Sequence, residues 1–160
     1  MESRMEATDS CPACSPRAVS LPPVAAPLGN YAPWARSGDI VYISGQGPRE
    51  NGTYTYCGKV GRDLTLEQAY EAARITGLNL LACLEQAAQG LYNVERILSL
   101  RGYVNSTDDF GEQPAVIDGI SDLLVEVLGD RGRSARCAIS VCSLPKQMAV
   151  EAELVAQLRV

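Results

Sequence analysis

Hydrophobic and polar residues alternate at the start of the folded part of the chain. The alternation covers residues 31–36 and 40–44, with a turn at Ser37-Gly38-Asp39 between them. A period of two is typical of strands with one buried face, and a short turn containing glycine favours an antiparallel hairpin. Residues 45–61 follow with repeated glycines and no periodicity. We interpret them as a loop that forms the rim of a pocket.

Two later segments have the spacing of helices instead. Thr65 and Gln68 form a capping box, the pattern that starts a helix, and apolar residues recur along one face after it. These residues are Leu66, Ala69, Ala73, Leu80 and Leu84. A second helix is predicted to begin near Pro114, a residue suited to the first helical position, and to end at Gly129. Its apolar face consists of Val116, Ile117, Ile120, Leu123, Leu124, Val127 and Leu128.

Three more strands complete the prediction, at residues 96–105, 135–144 and 149–160. The order is β-β-α-β-α-β-β, an α+β fold in which two helices cover one face of a sheet. The last two strands carry apolar residues on both faces, for example Ala138 and Ile139. Since two helices cover only one face, we expect the other face to pack against a second copy of the chain.

The N-terminal region differs in composition from the rest. Five of the 9 prolines lie in the first 27 residues, and none of the 14 glycines precedes Gly29. Residues 1–26 are therefore predicted to be a proline-rich, disordered extension and residues 27–160 a single domain. The extension contains Cys11-Pro-Ala-Cys14, but no second cysteine pair follows that would complete a zinc site. We therefore expect no metal.

The composition excludes several kinds of catalysis and partner. The chain of 160 residues has no histidine, which excludes Ser-His-Asp and Cys-His nucleophilic catalysis and His-ligated metalloproteases. Its net charge of -5 argues against a nucleic-acid partner, because phosphate binding needs a basic surface.

The apolar segments also bear on cellular location. No run of residues approaches the length of a membrane span, and the first ten residues lack the apolar stretch of a secretory leader. We therefore expect a cytoplasmic protein with no membrane partner. In that reducing compartment Cys83, Cys137 and Cys142 are expected to be small buried hydrophobic residues.

Arg136 and Glu151 are the residues in the predicted strands with the clearest chemical potential. Arg136, near the start of a core strand, is either a solvent-exposed strand end or a clamp for a carboxylate. Glu151, between Val150 and Ala152, is either a charged edge residue or a general base. Together an anion-binding arginine and a basic glutamate would suffice to hydrate a small electrophile that bears a carboxylate. That chemistry requires no cofactor.

Four motifs give the chain a family resemblance. They are SGQGP at residues 44–48, RGYVN at 101–105, ARCA at 135–138, and LP at 144–145 followed by VEAE at 150–153. In this order they resemble the RidA/YjgF family, over residues 27–160. The resemblance implies a chorismate-mutase-like fold and a homotrimer with pockets between subunits, which would bury the second face of the sheet.

The resemblance also implies an activity. Well-known members of the family are enamine/imine deaminases, which hydrolyse 2-aminoacrylate-type compounds to 2-keto acids and ammonia without a cofactor. Arg136 matches the arginine that binds the substrate carboxylate, and Glu151 matches the glutamate that positions the attacking water. Further matching or neighbouring pocket positions are Tyr31, Ser44, Gly45, Cys137 and Ala138, of which Cys137 stands where the family commonly has serine.

Two departures from the family pattern concern the substrate. Asp118 occupies a position where many members have asparagine, which adds a negative charge near the anion-binding pocket, and Ser134 replaces a histidine. Three alternatives to housekeeping deamination stay open. The first is a diverged enzyme that acts on a larger imine or enamine in specialised biosynthesis. The second is a non-catalytic ligand-binding trimer, and the third and least favoured is an endoribonuclease.

Overall fold

The computed structural model describes residues 19–159, and its elements follow the predicted order. The strands are β1 (Trp34–Ser37), β2 (Ile40–Gln46), β3 (Arg49–Glu50), β4 (Thr53–Tyr54), β5 (Val94–Asn105), β6 (Ala135–Val141) and β7 (Val150–Leu158). The helices are α1 (Leu66–Ala88) and α2 (Gln113–Leu128). The α+β prediction is confirmed. The predicted loop at 45–61 contains one addition, the short β3–β4 hairpin.

Five strands form one sheet in the order β1-β2-β7-β5-β6. All neighbours are antiparallel except β5 and β6, which run parallel. A parallel pair cannot be joined by a tight turn, so the chain crosses over between them through α2. This crossover places α2 against the same sheet face as α1. A Cβ at Gly102 of β5 would overlap the Ile117 side chain, which shows how closely α2 approaches the sheet.

The two helices begin and pack as their sequences indicate. At the start of α1 the backbone N–H of Gln68 donates to Thr65 Oγ1 (3.3 Å), and the N–H of Thr65 donates to Gln68 Oε1 (2.9 Å). The capping box is thus confirmed. The helices contact each other where Gly119 of α2 meets the Tyr70 carbonyl of α1, a place with no room for a Cβ. This close contact determines where α2 lies over the sheet.

The main core lies between the helices and the sheet. Its largest fully buried side chains include Leu80, Leu81, Leu84, Ile97, Leu100, Ile117, Ile120, Leu123, Leu124 and Leu154. Alternation along the strands places the intervening residues on the opposite face of the sheet, which we call the open face. In a single chain the open face exposes Tyr42 (54% exposed) and Ile139 (47%).

The cysteine prediction is correct at one position and wrong at two. Cys83 is buried in α1, where desolvation raises the pKa of its thiol to about 11. Cys137 and Cys142 are exposed. Cys137 lies on the open face of an edge strand and Cys142 directly follows that strand, so neither is covered within one chain.

The described part of the predicted N-terminal extension lies against the core. Val19, Leu21 and Val24 are half-buried and pack on the hydrophobic cluster. The domain boundary at residue 27 stays a prediction. Cys11 and Cys14 lie outside the described residues.

The β3–β4 hairpin is attached to α1 by one buried side chain. Asn79, which is 6% exposed, donates from Nδ2 to the carbonyls of Gly47 (2.9 Å) and Arg49 (3.0 Å). Both amide protons of Asn79 are thus used to hold the segment that enters the hairpin. Strands of two residues are too short to show alternation, which is why the sequence indicated only a loop here.

Candidate functional site

Arg136 lies on the helix-facing side of β6, where α2 supplies its partners. Nη1 donates to Asp118 Oδ1 (2.7 Å) and to Ser121 Oγ (2.9 Å), and Nη2 donates to the Pro114 carbonyl (3.2 Å). The Arg136 side chain is 26% exposed. A guanidinium has five N–H donors, so Nε–H and one Nη2–H have no acceptor within residues 19–159. Arg136 is therefore held in one orientation and retains donors for an anion.

Asp118 and Arg136 together form a largely neutral unit. The carboxylate at 2.7 Å offsets the charge of the guanidinium, so the net attraction for an incoming anion is smaller than that of a free arginine. We refer to Arg136 and its partners on α2 as the α2 half-site.

Glu151 lies on the other face of the sheet. It pairs in register with Tyr103, whereas its neighbour Ala152 is fully buried on the helix side. Arg136 and Glu151 also stand on strands separated by β5, which is about 10 Å across the sheet. Within one chain the structure therefore does not bring the two residues together.

Glu151 lines a cavity of about 320 Å³, which we call the Glu151 pocket. Its lining comes from the segment before β1, from β2 and the β3–β4 hairpin, and from the turn before β7; it includes Tyr31, Gly45, Gln46, Gly47, Arg49, Tyr54, Pro145 and Met148. No group within residues 19–159 donates a hydrogen bond to the Glu151 carboxylate. Burial, followed by the negative charge of Glu153, raises the pKa of Glu151. A carboxylate in this setting is a competent proton acceptor.

Gly45 makes room for the Glu151 carboxylate. A Cβ at residue 45 would lie 3.3 Å from Glu151 Cδ and would overlap Oε1. Ser44, its neighbour, turns to the open face and lines a separate depression there. Its Oγ donates to the Ala32 carbonyl (2.7 Å) and its N–H to the Pro33 carbonyl (3.0 Å). In one chain, Gly45 borders the carboxylate and Ser44 ties β2 to the segment that precedes β1.

Tyr31, Cys137 and Ala138 occupy three different surroundings. Tyr31 lines the Glu151 pocket and is 49% exposed, with its hydroxyl accepting from the Leu28 N–H (3.3 Å). Cys137 pairs with Arg101 on the open face, opposite to Arg136. Ala138 returns to the helix side, half-buried beside Gly102. The predicted residues thus divide between the α2 half-site, the Glu151 pocket and the open face.

Arg49 is a pocket residue that sequence reasoning missed. It lines the Glu151 pocket from β3, and its guanidinium carbon lies 5.7 Å from the centre of the Tyr54 ring. Its Nε is buried and has no hydrogen-bond partner in the described part of the chain. The sequence did carry one signal, a basic residue directly after the SGQGP motif that was expected to form a pocket rim.

Two further kinds of feature are absent from the described residues. Within residues 19–159 no three His, Cys, Asp or Glu side chains are grouped so that they could hold a metal ion. Neither α1 nor α2 combines the length and the apolar character needed to cross a membrane. The chemistry available at the site is proton transfer at Glu151 and anion binding at the two arginines.

Comparison with known proteins identifies the family. A family model described as "YjgF/chorismate_mutase-like, putative endoribonuclease" matches residues 14–158. Protein TCP17 from Trypanosoma cruzi is 37% identical over 141 residues, which is 88% of this chain and 88% of TCP17. The crystal structure of Atu1372 from Agrobacterium tumefaciens superimposes with a TM-score of 0.83 and 39% identity, covering 88% of this chain and 86% of that one.

A more distant structure shows the same fold. Escherichia coli TdcF with bound serine gives a TM-score of 0.61 at 21% identity, over 86% of this chain and 93% of TdcF. The family model extends over nearly the whole domain, and the residues it matches include the motifs around Gly45, Arg136 and Glu151. The chain therefore belongs to the RidA/YjgF family.

Proposed function

We propose that the protein hydrolyses reactive enamines and imines of the 2-aminoacrylate type to 2-keto acids and ammonia. The observation that carries this proposal is the Glu151 carboxylate, which lines a small cavity beside Gly45 and has its pKa raised by burial. An arginine with free donors for a substrate carboxylate, Arg136, completes the required set. TdcF, which shares the fold, was crystallised with serine, a small molecule with a carboxylate next to a carbon that bears nitrogen.

The reaction uses few groups. The enamine first tautomerises to the imine, and its carboxylate binds the guanidinium of Arg136. Glu151 accepts a proton from a water molecule as the water oxygen bonds to the imine carbon, and it passes this proton to the nitrogen, which gives a carbinolamine. Glu151 then accepts the hydroxyl proton of the carbinolamine and donates it to the amino nitrogen, so the C–N bond breaks, ammonia leaves and the carbonyl forms. Since such imines also react with water unaided, orientation and electrostatics are sufficient catalysis.

Within one chain Arg136 and Glu151 lie on opposite faces of the sheet, so their joint action on one substrate requires more than one copy of the chain. We propose a homotrimer in which Arg136 of one protomer and Glu151 of the next face the same cleft. The open face supports this arrangement, because Tyr42 and Ile139 are exposed there in a single chain and a neighbouring protomer would cover them. Light scattering on the purified protein should give a mass three times that of the chain.

The activity is tested by generating 2-aminoacrylate in situ from serine with a pyridoxal-phosphate dehydratase and following keto-acid release. The wild type should accelerate release, and Arg136→Ala should reduce kcat/KM by about 100-fold, because the carboxylate loses charge-assisted hydrogen bonds. Arg62→Ala is the control, since Arg62 is exposed and, within residues 19–159, its side chain pairs only with Asp63 on the surface. No acceleration by the wild type, or equal acceleration by Arg136→Ala, would show the proposal to be wrong.

A further inference from the structure

The Glu151 pocket contains an arginine that has no anionic partner. Among its described lining residues, only Arg49 and Glu151 carry a charge. Nothing in residues 19–159 accepts a hydrogen bond from the Arg49 guanidinium, which lies over the Tyr54 ring. A half-buried cation with a buried, unsatisfied N–H is unfavourable, and the fold gains free energy when an anion reaches it.

The backbone of Arg49 is fixed before any ligand binds. Asn79 of α1 holds the Arg49 carbonyl, and the Arg49 N–H donates to the Gly47 carbonyl (2.9 Å). On the other strand of the hairpin, Thr55 donates through both its N–H (2.9 Å) and its Oγ1 (3.0 Å) to the Pro48 carbonyl. The Tyr54 ring supports the guanidinium at a distance typical of a cation–π contact. These contacts position Arg49 as a binding residue and not as a mobile surface side chain.

Charge in the pocket indicates what Arg49 binds. Glu151 is negative when it acts as a proton acceptor, so an anionic substrate tail in the pocket is repelled unless a cation lies near it. Arg49 is that cation. At the α2 half-site Asp118 already offsets the charge of Arg136, so the attraction available there for a dianion is limited.

We propose that Arg49 binds a second anionic group at the far end of the substrate, so that the preferred substrates are imines of dicarboxylic 2-keto acids. One carboxylate binds Arg136, the imine carbon lies at Glu151, and the terminal carboxylate binds Arg49. The nature of the reacting group rests on the proposed function. The binding of a terminal carboxylate by Arg49 rests on the cavity and on the unpaired guanidinium.

Binding of stable keto acids tests the inference without turnover. Calorimetric titration compares 2-oxoglutarate, which has two carboxylates, with 2-oxopentanoate, which has the same carbon number and one carboxylate. The wild type should bind 2-oxoglutarate about 10-fold more tightly, as expected for one added charge-assisted contact. Arg49→Gln should abolish this preference, because 2-oxoglutarate loses the contact of its terminal carboxylate, whereas 2-oxopentanoate has no such carboxylate.

Two further variants keep the result interpretable. Arg49→Lys retains the charge without the planar fork and should give an intermediate preference, and Arg62→Gln should behave as the wild type. Thermal unfolding confirms that each variant is folded. Equal affinity of the wild type for both acids, binding of neither acid, or a preference that survives in Arg49→Gln would overturn the inference.

A hydrolysis assay separates this inference from the proposed function. Imines are generated from glutamate and from 2-aminopentanoate by an amino-acid oxidase, and the remaining imine is trapped with semicarbazide. If neither imine is hydrolysed while 2-oxoglutarate still binds through Arg49, the proposed function is wrong and the Arg49 site stands. If the 2-aminopentanoate imine is hydrolysed but Arg49→Gln changes nothing for either substrate, the Arg49 inference alone is wrong.

Discussion

Two arginines border the candidate site, and they differ in how many partners the fold gives them. Arg136 donates three hydrogen bonds to groups of α2, whereas the Arg49 guanidinium has no hydrogen-bond acceptor in the described part of the chain and lies over the Tyr54 ring. The first is oriented and partly neutralised before a ligand arrives. The charge of Arg49 is not offset by a neighbouring carboxylate within residues 19–159, and its guanidinium N–H groups have no acceptor there. The α2 half-site is therefore suited to orient a substrate. The charge of the substrate affects its affinity most in the Glu151 pocket, where Arg49 lies.

The largest effect should come from removing the proton acceptor of the Glu151 pocket. Glu151→Gln is expected to lower kcat by about 100-fold, the lower end of what a general base contributes, with keto-acid binding retained. Because burial raises the pKa of Glu151, the wild-type rate should fall with decreasing pH at a midpoint above the ordinary glutamate value of 4.5. Stopped assays across this range measure both effects.

The same variant provides an independent check on burial. A raised folded-state pKa means that the folded protein binds the proton more tightly, so wild-type stability falls as pH rises through that pKa. Glu151→Gln should thus be more stable than the wild type at neutral pH, and the difference should shrink towards pH 4. An unchanged pH profile of unfolding would contradict the burial of this carboxylate.

The next largest effect should come from displacing α2, which carries the partners of Arg136. Gly119→Ala places a methyl group against the Tyr70 carbonyl and is expected to destabilise the fold by about 2 kcal/mol in urea unfolding. Gly111→Ala is the matched control, since a Cβ at residue 111 meets nothing within 4 Å. Equal stability of the two variants would show that α2 tolerates displacement at this contact.

A smaller change should follow from removing one charge at the α2 half-site. Asp118→Asn keeps an oxygen for Arg136 Nη1 but removes the offsetting carboxylate, so pyruvate should bind about 5-fold more tightly at low salt, and less so at high salt. Asp122→Asn, which alters the partner of the Tyr70 hydroxyl (2.8 Å) on the same helix, is the control. Weaker pyruvate binding by Asp118→Asn would mean that Asp118 positions Arg136 more than it neutralises it.

The smallest change is expected at the solvent-exposed contact between the helices. Arg74 and Glu126 form an ion pair of 2.7 Å whose side chains are partly exposed. Arg74→Gln should cost less than about 0.5 kcal/mol in urea unfolding, as is usual for such pairs. A loss above about 1 kcal/mol would indicate that surface charge, and not the contact at Gly119, holds α2 in place.

Long periodic segments made most of the fold predictable, and local motifs identified part of the site. The apolar faces of α1 and α2 each extend over several turns, so the signal exceeds the noise of single positions, and the capping box at Thr65 marks where α1 begins. Gly45 was found through its motif, and the structure supplies the reason, namely the space occupied by Glu151.

Relations between distant strands could not be predicted. Alternation assigns residues to faces within one strand, but whether Arg136 and Glu151 share a face depends on the register of β6 and β7 against β5, which no local pattern records. Arg49 could not be predicted as a pocket residue for a related reason. Its importance comes from a cavity formed by segments far apart in sequence, and nothing within its own two-residue strand indicates that cavity.

The attachment of the β3–β4 hairpin through the Asn79 side chain has a consequence for engineering. Asn79 donates to backbone carbonyls, so its hydrogen bonds do not involve the side chains of the hairpin. The residue at position 49 can thus be exchanged while the carboxylate at position 151 and the helices stay in place. A small library at positions 49 and 54 would then be a compact way to redirect the substrate range of this scaffold.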